Sequence, residues 1–158
     1  MSKSEITLNL ERLLDNKLDP RKYFYCFEVT LGWYGDEIVD CIAYSTDREI
    51  ICYEIKSSKQ DFYSKSKWSF HGHRNYFVMP LEVYEQVKSD IPYGIGVFVE
   101  KDNELVSVKF CRKIQLCADK EVVLSSMLRS MQRELLKQRS KIHKLESEKE
   151  GILNDKNK

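Results

Sequence analysis

Apolar positions along the chain change their period several times, and each period predicts a different element. Residues 4–18 place Ile6, Leu10, Leu13, Leu14 and Leu18 at helical spacing behind Ser4, a suitable N-cap, and Asp19-Pro20 ends the run. Tyr23 to Leu31 alternates, with Tyr25, Phe27, Val29 and Leu31 on one face and Phe24, Cys26, Glu28 and Thr30 on the other, and Gly32-Trp33-Tyr34-Gly35 then makes a turn. Two apolar runs, Ile38 to Tyr44 and Ile50 to Ile55, flank Ser45-Thr46-Asp47-Arg48 and predict a hairpin whose strands are apolar on both faces, hence buried on both sides. Lys59 to Lys65 fits a short helix, Tyr76 to Met79 a strand, and Pro80 with Leu81, Val83, Tyr84 and Val87 a helix ending near Pro92. Gly94 to Val99 and Leu105 to Phe110 are further strands, joined by Lys101-Asp102-Asn103. This order predicts an α/β fold with a central mixed sheet flanked by helices.

The tail is patterned differently. From Asp119 there is no proline, and Leu124, Leu128, Met131, Leu135, Gln138, Ile142, Leu145, Lys149 and Ile152 follow at alternating steps of four and three, the heptad signature of a coiled coil. Gln138 and Lys149 interrupt the seam, and such polar positions fix register and strand number at a cost in stability. The chain therefore divides into a domain over 1–118 and a C-terminal coiled-coil helix over 119–158, available to a homodimer or to a partner protein through the 124–152 seam. The competing expectation is a single helix folded back on the sheet.

Composition narrows this only in places. With 158 residues and 42% hydrophobic content the chain can bury a real core, and its net charge of +1 gives no global attraction to a polyanion. The tail carries 10 basic and 7 acidic residues against 16 and 18 in the rest, so any nucleic-acid surface is a local patch. Cys26, Cys41, Cys52, Cys111 and Cys117 are odd in number with no Cys-x-x-Cys pair, and are expected as reduced thiols. No apolar run is long enough to cross a bilayer and no targeting segment is evident, which predicts a cytoplasmic protein without a membrane partner.

Against the apolar hairpin three charges stand out: Asp40 in its first strand, Glu54 and Lys56 at the end of its second. With a hairpin loop of three or five residues, paired positions sum to 94, so position 40 faces position 54. Like charges that close, in a poorly hydrated place, call for a proton or a cation between them, and a hard divalent ion with oxygen ligands meets that need. Lys56 lies two residues beyond Glu54 and emerges on the same face. A solvated ion pair at a strand end is the structural alternative.

The stretch from Lys56 to Arg74 is the most basic part of the domain. Lys59, Lys65, Lys67, His71, His73 and Arg74 are interleaved with Phe62, Tyr63, Trp68 and Phe70, a mixture suited to phosphates and bases. The alternative is a short helix burying Phe62 and showing its lysines to water. His71-Gly72-His73 lacks a third ligand at any zinc spacing.

Val39-Asp40-Cys41-Ile42-Ala43, Tyr53-Glu54-Ile55-Lys56-Ser57-Ser58, Asp61-Phe62, Lys67-Trp68 and Tyr76-Phe77-Val78-Met79-Pro80, in this order, resemble the PD-(D/E)XK nuclease superfamily, and within it the MmcB-like DNA repair nucleases. The resemblance covers roughly Phe27 to Arg112, with Val39 where the superfamily name has proline. It implies a restriction-endonuclease-like core and a nuclease that hydrolyses DNA in repair or restriction-type processing. Asp40, Glu54 and the backbone carbonyl of Ile55 would hold Mg2+ or Mn2+, Lys56 would orient the attacking water, and Glu28 or Glu11 would complete the shell. Lys59, Lys65, Lys67, Trp68, His71, His73 and Arg74 would meet DNA. A dimer through the tail would present two sites to one duplex. The alternative is a catalytically silent nuclease fold that binds DNA or docks into a larger assembly.

Overall fold

β3 (Ile50–Ile55) is buried along its whole length, and the other elements are layered around it. The structure, a computed structural model, describes residues 2–33, 35, 37–64 and 68–156. β1 (Tyr23–Thr30), β2 (Ile38–Ser45), β3, β4 (Arg74–Pro80), β5 (Gly96–Lys101) and β6 (Glu104–Lys109) form one six-stranded sheet in sequence order. β3 to β5 run parallel to one another and the outer pairings are antiparallel, so the sheet is mixed, as the pattern predicts. The hairpin register is the expected one: Tyr44 faces Ile50, Ala43 faces Ile51, Ile42 faces Cys52 and Cys41 faces Tyr53.

α1 (Glu5–Lys17) is capped by Ser4, whose side chain accepts from the Thr7 amide, and packs Leu10, Leu13 and Leu14 on one face of the sheet against Cys41, Ala43, Ile51, Tyr53 and Val78. Ile6 belongs to the predicted stripe but is 49% exposed, because the helix overhangs the sheet at its N-terminal end. On the other face α3 (Leu81–Val87) covers Phe77, Met79, Val97 and Val99, and a short 3-10 turn (Lys88–Asp90) ends it before Pro92. Beside it the first turns of α4 (Lys120–Lys156) bury Val123 and Met127 against Val29, Val39, Ile42, Ile50 and Cys52. The buried stripe of α4 is thus offset from the heptad seam, of which Leu124 and Met131 only flank the core. All five cysteines are unpaired. Among the described residues no helix is long and apolar enough to cross a membrane.

The end of the hairpin is fastened by Glu49, whose carboxylate takes Lys113 Nζ at 2.5 Å and Arg74 Nε at 3.0 Å. The Lys113 ammonium first, and then Arg74, hold the Glu49 carboxyl below its ordinary value of 4.5 against the opposing effect of burial. A depressed folded-state pKa contributes stability that is complete above the unfolded value and is lost as the pH falls through the folded one. Glu49→Gln is expected to cost about 1 kcal/mol at neutral pH, with the gap to wild type closing below pH 4.5, as urea titrations at both pH values would read. A gap that stays constant with pH would contradict this assignment.

Candidate functional site

The β2–β3 ladder stops one pair short of Asp40 and Glu54. Its last pair is Cys41 with Tyr53, and beyond it the Asp40 carboxylate replaces a backbone acceptor, taking the Ile55 N–H on Oδ2 at 2.7 Å. β3 stays tied to β4 on its other side, where the Lys56 N–H donates to the Val78 carbonyl at 2.9 Å. Glu54 and Lys56 project to the same side, are 0% and 1% exposed, and bring Oε2 and Nζ within 3.8 Å. Both groups are removed from water, where a charge is tolerated only with one of opposite sign close by.

β1 supplies a second irregularity. Phe27 and the opposed Cys41 pack on the α1 side, whereas Val29 and the opposed Val39 pack on the α4 side. Residues two apart on a regular strand share a face, so both strands reverse their alternation at the intervening residues, Glu28 and Asp40. This corrects the unbroken alternation expected from Tyr25 to Leu31. Glu28 absorbs the reversal with φ of 53°, a left-handed conformation that costs a non-glycine residue roughly 1–2 kcal/mol. Such strain persists only where the surroundings enforce it, and it concentrates at functional sites.

These irregularities open onto a cavity of about 220 Å³. Glu11 lines it from α1, Glu28 from β1, Asp40 from β2, Ile55 and Lys56 from the end of β3, and Asp61 from α2 (Lys59–Tyr63). Sequence reasoning offered Glu28 or Glu11, and the fold brings both to one cavity. Glu54 does not line it; its carboxylate lies behind, beside Lys56. The Lys3 ammonium sits between Glu11 and Glu28, in hydrogen-bond contact with the first and 3.3 Å from the second. Those contacts raise its pKa over the opposing effect of burial. Glu11, Glu28, Asp40 and the Ile55 carbonyl are all oxygen donors, the set a hard divalent ion prefers. The Glu11–Glu28 pair already holds a cation, which shows that the donors accept positive charge. Among the described residues no three acidic, histidine or cysteine side chains are drawn into a finished metal cage.

Among the described residues the basic stretch does not form one surface. Lys59 is exposed on α2, close in sequence to Asp61. Trp68 packs on Phe62 and Phe77 at ring separations of 5.3 and 5.1 Å, as part of the α3-side core. His71 Nε2 meets Glu37 at 2.8 Å. His73 Nδ1 accepts the Ile50 N–H at 2.9 Å, and Arg74 is engaged by Glu49, so both serve the start of β3 and β4. Arg74 faces Ile51, five residues before Lys56, which places it roughly 16 Å from the cavity along the strand. Lys65 and Lys67 lie outside the described residues.

Lys3, Thr7 and Asp61 line the cavity without having been assigned a role from the sequence. Asp61 carries a legible signal, because Ser58 caps α2 and Asp61 stands three residues on: Ser58 Oγ accepts the Asp61 N–H at 3.0 Å, and Asp61 Oδ2 accepts the N–H of the preceding Ser57 at 2.9 Å. Lys3 carries none, since its partners are eight and twenty-five residues away.

No family model matches the chain, and no curated protein matches it. The solved structure of the SPO1766 protein of unknown function from Silicibacter pomeroyi is similar, with a TM-score of 0.72 and 19% identity over 87% of this chain and 94% of that chain. At that identity the likeness is one of fold.

The buried pair makes a stability prediction independent of any activity. Glu54→Gln and Lys56→Met are each expected to cost about 3–5 kcal/mol, because each removes one charge of a buried ion pair. The double variant should cost clearly less than the two together. Urea unfolding of the four proteins closes the cycle, and simple additivity would show that the two groups do not interact.

Proposed function

We propose that the chain is a metal-dependent nuclease of the PD-(D/E)XK kind, with a restriction-endonuclease-like core, that hydrolyses phosphodiester bonds of DNA in repair or restriction-type processing. The supporting observation is the convergence of Glu11, Glu28, Asp40, Ile55 and Lys56, from four elements, on one cavity where the β2–β3 ladder ends. Asp40, the Ile55 carbonyl and Glu11 or Glu28 are the groups to hold Mg2+ or Mn2+, and Glu54 is the further ligand that the superfamily resemblance implies. When bound, the ion supplies Lewis acidity and lowers the pKa of a coordinated water. Lys56 would orient the attacking water and offset charge growing on the phosphate, an electrostatic role strengthened by its burial. Asp40 fixes the end of β3 through the Ile55 N–H, so it holds the carbonyl of the same residue in place. Lys59 on α2, with Lys65 and Lys67 beyond it in sequence, supplies positive charge for the DNA backbone. The exposed length of α4 is the surface for a second copy or a partner protein.

A second reading, a nuclease-like fold that binds DNA or docks into an assembly without cutting, is favoured by the Lys3 ammonium seated between Glu11 and Glu28. Cleavage of plasmid, linear and single-stranded DNA with Mg2+, Mn2+ or EDTA separates the two. Wild type is expected to cut only with the ion. Asp40→Asn keeps an acceptor for Ile55, and both it and Lys56→Ala should lose about 100-fold or more while circular dichroism shows them folded. No cutting of any substrate, with calorimetry finding no divalent-ion binding, would overturn the enzyme and leave the binding protein.

A further inference from the structure

α4 runs well past its support. Ser130 is its last buried residue, and every residue from Gln132 to Lys156 is exposed, a length of roughly 37 Å. Along it the seam side chains are bare: Leu128 is 67% exposed, Leu135 58%, Ile142 53%, Leu145 64% and Ile152 59%. A helix of this length gains little from propensity alone, and the exposed Gly151 weakens it further. The apolar seam therefore needs a cover.

We propose that the cover is a second copy of the same helix, parallel and in register, so that two chains associate through a two-stranded coiled coil with both folded domains at one end. The charges flanking the seam select this arrangement. In a parallel pair the residue before one core position faces the residue that follows the next core position on the partner. Glu134 then meets Arg139 of the partner subunit, and Lys141 meets Glu146 of the partner subunit, with opposite signs both times and each contact repeated by symmetry. In the free helix Glu134 has only local partners, Gln138 Nε2 at 2.6 Å and Lys137 Nζ at 3.9 Å. An antiparallel pair matched at Ile142 and Leu145 would bring Lys141 to Glu148 of the partner subunit but would also oppose Glu134 to Asp155 of the partner subunit, two like charges that the parallel pair avoids. Gln138 and Lys149 set the register: each lies against its own copy when the helices are aligned, Gln138 through amide hydrogen bonds and Lys149 by extending its ammonium to water. Any slip would place one of them against an apolar partner. This assembly does not depend on the nuclease reading.

The full chain, with exposed Cys117 replaced by serine, supplies the test. Light scattering should find a dimer, and Ile142→Cys chains should cross-link to themselves under mild oxidation, as should Leu145→Cys chains. Leu145→Asp should give a folded monomer, since that position touches nothing in the sheet. A wild-type monomer at the highest soluble concentration would overturn the proposal. So would cross-linking that requires a mixture of the two cysteine variants, the mark of an antiparallel pair.

Discussion

An ion in a strand covered on both faces must be answered by another charge, and β3 carries two such ions at its end. Glu54 and Lys56 are almost completely removed from water and lie 3.8 Å apart, so each charge answers the other. The neighbouring strands are organised to permit this. β4 continues to bond the backbone at Lys56, while β2 gives up its backbone pairing and offers the Asp40 side chain instead. The sheet is therefore closed on one side of β3 and open on the other at the same level. That asymmetry is what creates a cavity inside an otherwise continuous sheet.

The opening is shaped by the edge of the sheet as much as by its centre. Because β1 and β2 reverse their alternation together at Glu28 and Asp40, Val29 and Val39 can join the α4-side core while Phe27 and Cys41 stay in the α1-side core. The two acidic residues at the crossing are left to face the cavity. The strain of Glu28 thus stands against gains in apolar burial on both faces, of order 1.5–3 kcal/mol for each large side chain. A glycine would sit there more easily but would bring no carboxylate.

Much of this was legible in the sequence, for identifiable reasons. Period alone separates the buried hairpin from the amphipathic helices, and the hairpin register follows from the loop, although the ladder ends before Asp40 and Glu54 come opposite one another. The alternation of β1 misled beyond Phe27, because a left-handed residue other than glycine leaves no mark in a hydrophobic pattern. The basic stretch also misled: spacing cannot tell that His73 and Arg74 lie at the opposite end of β3 and β4 from the cavity. Glu11 is hard to place for a related reason, since a polar position off the apolar stripe of α1 reads as solvated until the edge of the sheet is set beside it. The seam of α4 was visible, but not its offset from a second, shorter stripe centred on Val123 and Met127.

Lys3 bears on any cation that approaches the cavity. It is attached one residue ahead of the α1 cap and is therefore present at the carboxylates at an effective concentration of order millimolar. An external ion competes with a tethered one rather than with water alone. Its apparent affinity would then be set partly by how readily Lys3 lets go, so the same carboxylates would bind more tightly whenever Lys3 is drawn elsewhere.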